Sequence, residues 1–308
     1  MDLTTFNIAP TDAEKAKSIL NYQPFIISDT FQTGCGYSFC HSGDPRVDPP
    51  LSFDRNKCTE DVWAKATRAN RGVAAMYDDQ IKLIAELFPG KSLLDFACNN
   101  GYFPVAAEVA GMKNCAGIDS SDYGECIKLL NKVTGSNAQF IQGLYDSEHH
   151  HCKQLENEDG EPVTWDVVCA SAIMCHMPDP LSLLRFLSRH AREAVFFWGQ
   201  VLTTDKYLVS YDPPHLHLSA LTDKFPVCFN DNTRLSISLM EDSMSWLGFS
   251  HVIEIKAQDS WVQVKSTSGN NLEDELNGGS PHRALLFVRN LDNPPVSDKY
   301  EVRKIGCQ

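Results

Sequence analysis

The sequence predicts an α/β fold, a doubly wound sheet whose strands run parallel until a final antiparallel pair. Three observations carry that prediction. Between Lys91 and Gly199 short, almost wholly apolar runs alternate with helical patterns, as in parallel sheets covered on both faces. After Gly248 two strand-like runs follow one another with no helical pattern between them. Before Thr59 the chain mixes Gly, Pro and aromatic residues in YQPF, TGCGYSF and HSGDPRVDPP, so residues 1–58 are expected to form a loop-rich extension.

The elements follow in order. Thr59 to Phe88 reads as a helix: Glu60 and Asp61 suit the positive end of its dipole, and Ile81, Ile84, Ala85 and Phe88 recur at helical spacing. Pro89-Gly90 stops it. Lys91–Ala97 is the first strand. A helix with Phe103, Ala106, Ala107 and Ala110 on one face follows, and it tolerates Pro104 in its first turn. Asn114–Asp119, Ala138–Gln142, Trp165–Ala170 and Ala194–Gly199 are the next four strands. A helix opens at Pro180 and runs through Leu184 and Leu187. Leu235–Leu247 is the last helix, with Gly248 at its end. His251–Ala257 and Arg283–Arg289 complete a seven-stranded sheet as its antiparallel pair. Residues 264–281 form a polar connection, and the tail after Asn290 is polar and expected to be poorly ordered.

Composition narrows the function. The chain has 308 residues, 43% apolar and 22% charged, which excludes disorder of the whole chain. A net charge of −13 disfavours general binding to nucleic acid or to anionic membranes. No apolar run approaches the length of a membrane span, and the first residues lack the pattern of a secretory signal. The eleven cysteines contain no C-x-x-C pair and read as reduced thiols of a cytoplasmic protein.

The segment Leu93–Phe103, LLDFACNNGYF, carries the ligand expectation. A strand ends at Asp95, a turn of small residues follows, and a helix N-terminus adds unpaired N–H groups. A second acid, Asp119, ends the next strand, where an acid accepts the hydroxyls of a ribose. Ala97-Cys98-Asn99 lacks the G-x-G-x-x-G set that a pyrophosphate requires, so a nucleoside without phosphates fits better than a nicotinamide dinucleotide.

This segment resembles motif I of the class I S-adenosylmethionine (SAM)-dependent methyltransferases. Trp165–Pro180, WDVVCASAIMCHMPDP, resembles their fourth-strand signature, and the resemblance extends from Lys91 to Asn290. The CNNGY turn is similar to the group around the bacterial tRNA wobble-uridine carboxymethyltransferase, as are YQPF and TGCGYSF more faintly. The resemblance implies a Rossmann-like domain over 59–290, with a cap inserted at 200–234, flanked by an extension able to act as a lid and by a polar tail at 291–308. It implies SAM as cofactor, bound by Asp95, Ala97, Asn99, Gly101, Asp119, Ser120, Leu144 and Ser171. Two positions depart from the family pattern: Ala97 stands at its first glycine and Asn99 at a second. Alanine suits the turn if its backbone avoids positive φ, whereas asparagine adopts the left-handed region readily. The adenine-contacting acid is replaced by Gly143-Leu144-Tyr145-Asp146, which makes that contact apolar or moves it to Asp146.

The expected activity is methyl transfer to an oxygen or nitrogen of a small molecule. An RNA-modifying transferase using SAM or a carboxylated relative, and a non-catalytic nucleoside- or partner-binding protein, are the alternatives. His176, His215 and His217 are the candidate catalytic residues, because histidine titrates near neutrality and these follow the fourth and fifth strands. No resident metal is expected: His215-x-His217 lacks a firm third ligand, and His149-His150-His151-Cys152 lies in a polar stretch that reads as a solvated loop. Trp198 and Gln200 are candidates for substrate contact, and Tyr22 and Tyr37 for the lid. Nothing basic beside Cys98 suggests a reactive thiol. A homodimer is compatible with the sequence.

Overall fold

Thr59 supplies the hydroxyl that accepts a hydrogen bond from Val62 N, and this cap starts the longest helix, Glu60–Leu87. The computed structural model describes residues 10–34, 52–177, 179–211, 233–258, 282–292, 294 and 297–306. Within these the chain forms two compact units, one running through Gly143 and the other from Leu144 to Lys256 and again from His282 onward.

In the first unit a helix, α1 (Pro10–Ile19), precedes three short strands, β1 (Ile26–Ser28), β2 (Phe31–Thr33) and β3 (Ser52–Asp54), which pair antiparallel in that order. The described residues of this extension thus carry one helix and three short strands. Its short elements bury Phe25, Ile27 and Phe53 instead of showing one long amphipathic stripe. The long helix Glu60–Leu87 is α2. Then come β4 (Leu93–Phe96), α3 (Tyr102–Val109), β5 (Ala116–Asp119), α4 (Gly124–Thr134) and β6 (Gln139–Gln142). The three strands are parallel in the order β4-β5-β6. β4 is buried at every position, as a strand covered on both faces must be.

The second unit holds β7 (Trp165–Ser171), α5 (Pro180–His190), β8 (Ala191–Gln200), β9 (Val209–Tyr211), β10 (Thr233–Leu235), α6 (Ile237–Trp246), β11 (His251–Ile255), β12 (His282–Val288) and β13 (Tyr300–Lys304). β7 and β8 are parallel, while β8, β12, β11 and β13 follow one another antiparallel. The expected terminal pair is β11 and β12. β13 is an eighth strand, in the segment expected to be a loose polar tail. It is held on β11 by backbone pairing from His251↔Lys304 to Ile255↔Tyr300 and by Arg303, which reaches both Glu241 and Glu254. β9 and β10 form a separate antiparallel pair. The polar connection at 264–281 lies outside the described residues. No helix among the described residues is long and apolar enough to cross a membrane.

Candidate active site

In the first unit the carboxyl end of β4 runs into a turn with three left-handed residues: Ala97 (φ 63°), Asn99 (φ 50°) and Gly101 (φ 89°). Asparagine and glycine suit that conformation. Ala97 does not, and so the condition for a comfortable alanine is not met; a left-handed L residue costs roughly 1–2 kcal/mol. Asn99 holds the turn from both sides. Its backbone N–H donates to Asp119 Oδ2 at 2.9 Å, and its side-chain oxygen accepts from Asn100 N at 2.8 Å. The N–H of Ser121 donates to the other oxygen of Asp119 at 3.0 Å. A carboxylate has about four acceptor positions, so Asp119, half-buried at the end of β5, keeps capacity for a ligand.

Asp95, in β4, is 2% exposed, and among the described residues its Oδ1 has no hydrogen-bond partner. Burial pushes its carboxyl well above the usual range, and the charge of Asp119 pushes it further the same way. The same burial raises the thiol of Cys98, so that cysteine is not an activated nucleophile. Gly117 on β5 is required by contact: a Cβ there would lie 2.6 Å from Cys98 Sγ. A Cβ on Gly101 would lie 2.3 Å from Ile127 Cγ1. Ser120 is exposed, and its carbonyl accepts from Gln142 Nε2 at 3.4 Å.

The remaining candidates belong to the second unit. Ser171 ends β7 half-buried, followed by left-handed Ala172 (φ 56°), whose N–H donates to Trp198 O at 2.7 Å. His176 is half-buried and closes the one-turn helix Met174–His176; α5 starts later, at Pro180, capped by Asp179. Leu144 is 71% exposed. Trp198 is buried with its ring 5.0 Å from that of His282, and Gln200 Oε1 accepts from Arg234 Nε at 2.9 Å. Burial, followed by the charge of Arg234, lowers the His282 imidazole to about 4. Asp146 accepts from His149 Nδ1 at 2.8 Å, and His149 is exposed. Tyr22 is half-buried. His215, His217 and Tyr37 lie outside the described residues.

Sequence reasoning missed Gln23, Asn100, Gly117, Arg234 and His282. The signal available for Gly117 was a glycine inside an apolar strand, which marks close approach of a neighbour. Gln23 and Asn100 lie within YQPF and CNNGY, whose residue types do not tell which side chains turn inward, Arg234 and His282 lie in segments with no motif, and only folding shows that Gln23, Asn100 and Arg234 are buried.

Residues 68–243, more than half of the chain, match the methyltransferase domain family. The chain belongs to that family and is a methyltransferase by class. It is similar to three solved structures among others. One is the N-terminal domain of EvdMO1 determined in the presence of SAH and D-fucose, with 13% identity, 69% of this chain and 82% of that one covered, and a TM-score of 0.45. Another is magnesium protoporphyrin IX methyltransferase from Synechocystis PCC 6803 with bound SAH, with 14% identity, coverage of 72% and 87%, and a TM-score of 0.43. The third is an O-methyltransferase family protein from Burkholderia thailandensis, with 10% identity, coverage of 76% and 60%, and a TM-score of 0.47. No curated protein matches the sequence significantly.

Proposed function

We propose that the turn Ala97–Gly101, with Asp95 and Asp119, holds SAM, and that the enzyme methylates an oxygen or nitrogen of a small molecule. The observation that carries this reading is Asp95: a buried carboxyl with an unpartnered oxygen, beside a second acid, near the carboxyl end of a parallel strand. Such a pair disfavours a phosphate and favours a ligand with a cationic group and hydroxyls. The residues present therefore fit SAM, whose sulfonium methyl is a strong electrophile.

Asp119 accepts from the ribose hydroxyls while Asn99 N–H keeps its carboxylate oriented. Asp95 accepts from the cationic amino-acid end, and that partner favours its ionised form against the burial that raises its carboxyl. The backbone of Ala97, Asn99 and Gly101 brings the turn close to the ligand. Ser120, Leu144 and Ser171 complete the cofactor residues, Leu144 through an apolar contact. His176, His215 and His217 are the candidates to orient the acceptor or take its proton, which matters only for a hydroxyl or a protonated amine. Water exclusion favours loss of the sulfonium charge. The net charge of −13 supports a small acceptor over a nucleic acid.

Calorimetry with SAM and its demethylated product tests the cofactor half of the reading. Binding of both is expected, and absence of both overturns it. A panel of small hydroxyl- and amine-bearing acceptors and transfer RNA, incubated with methyl-labelled SAM, tests the other half. Label in a small molecule is the expected result, and label in the RNA alone replaces this acceptor class.

A further inference from the structure

We infer that residues Ile19–Gln23, distant in sequence, are a working part of the cofactor turn, and that Gln23 is a positioning residue for SAM. The inference rests on the cofactor reading above. Gln23 is 6% exposed, and its amide spans the turn. Its Nε2 donates to Cys98 O at 3.2 Å in the middle of the turn, and its Oε1 accepts from Tyr102 N at 3.1 Å where α3 begins.

Two further links come from the same segment. Asn21 N–H donates to Oδ1 of the fully buried Asn100 at 2.8 Å. Asn100 Nδ2 in turn lies 3.5 Å from Cys126 Sγ, and that thiol donates to Ile19 O at 3.3 Å. Ile19 ends α1, which is tied to α4 by Lys132–Asp12 at 2.7 Å and Lys15–Glu125 at 2.6 Å. Behind the turn, Tyr102 donates its hydroxyl to Asp78 at 3.0 Å and packs its ring against Phe25 and Tyr77.

The physical reason for such a brace lies in the turn's own sequence. A glycine-rich turn reaches the left-handed region freely. Here Ala97 and Asn99 must be held there. Gln23 fixes the carbonyl between them and the N–H just after Gly101, so the turn keeps one conformation in which Asn99 N–H meets Asp119. A side chain from the extension supplies the constraint that would otherwise come from tighter local geometry, and the ligand meets a turn already ordered.

The test compares Gln23→Ala with Gln32→Ala. Gln32 is an equally buried amide of the same extension, but it bonds Thr67 and Asn70 and does not touch the turn. Affinity for the demethylated cofactor is measured by calorimetry and stability by melting, in the full chain. Gln23→Ala is expected to lose about tenfold or more in affinity, because two buried partners lose their bonds. Gln32→Ala is expected to melt earlier and bind as wild type. Adding Ala97→Gly to Gln23→Ala recovers part of the loss, because glycine reaches the left-handed region without being held there. Equal affinities for the two single variants overturn the inference. If Gln23→Ala does not fold, Gln23→Glu takes its place: it keeps the acceptor for Tyr102 N and loses the donor to Cys98 O, and unchanged affinity overturns the inference. A wild-type chain that binds neither cofactor form fails the cofactor reading instead, so the two failures are distinct.

Discussion

The carboxyl end of β4 and the carboxyl end of β8 meet the same electrostatic problem with opposite signs. At β4, burial holds Asp95 toward its neutral form, and the nearby charge of Asp119 adds to the effect. At β8, burial holds His282 neutral, and the nearby charge of Arg234 adds to that. Desolvation acts first in both places. It favours neutrality whatever the sign of the group, so burial alone says nothing about a ligand. The fixed neighbour does. Asp119 is anchored by two backbone N–H groups, and Arg234 by the amide of Gln200. A cation brought to Asp95 relieves the repulsion there, whereas a cation brought to His282 would worsen it.

The largest expected effect breaks the acidic side of that comparison. Asp119→Ala removes the proposed ribose acceptor and the partner of Asn99 N–H together. Bonds to charged groups contribute about 1.5–3 kcal/mol each, so affinity for the demethylated cofactor should fall by roughly 30-fold or more, measured by calorimetry. A change under threefold would remove Asp119 from the site.

A second effect sharpens it. Because the folded-state pKa of Asp95 is raised, the folded chain without cofactor binds that proton more tightly than the unfolded chain. Stability then falls as pH rises from the ordinary carboxyl value toward the raised one, and binding of a cation strengthens over the same window. Melting temperature and SAM affinity measured against pH should show these opposite slopes, and Asp95→Asn should flatten both. Parallel slopes would count against a cationic partner at Asp95.

The basic side gives a smaller, spectroscopic effect. Arg234→Met should raise the His282 imidazole above its present value of about 4, yet leave it below 6.5, because burial remains. An NMR titration of the ring protons reads the shift, and an unchanged value would assign the whole effect to burial. The smallest effect concerns backbone strain. Ala97→Gly should stabilise the chain by about 0.5–1 kcal/mol in urea unfolding, because relief of left-handed strain exceeds the added entropy of glycine. Destabilisation would mean that the alanine methyl is needed for packing.

The fold was legible where one element repeats one signal. The stripe Ile81, Ile84, Ala85 and Phe88 marked α2 almost to its caps, and LLDF marked β4. α4 carried no comparable reading between the second and third strands, yet it forms over Gly124–Thr134. β13 was illegible because an edge strand with polar residues, YEVRK, looks like a tail until Arg303 finds Glu241 and Glu254. The site was half legible. Asp95 and Asp119 stood out by their places at the ends of strands. The state of Asp95 did not, because desolvation depends on what surrounds a side chain and not on its neighbours in sequence.

The amino-acid sequence alone determined the alternation of strands and helices, the two acids that close adjacent strands, and the absence of a pyrophosphate-type glycine set, because these depend on periodicity and residue type over a few positions. The tertiary structure decided that Ala97 is left-handed, that Asp95 is driven toward neutrality, and that an amide about eighty residues upstream of α3 locks the turn between them. Those outcomes arise from burial and from hydrogen bonds between distant segments, which exist only once the chain has closed on itself.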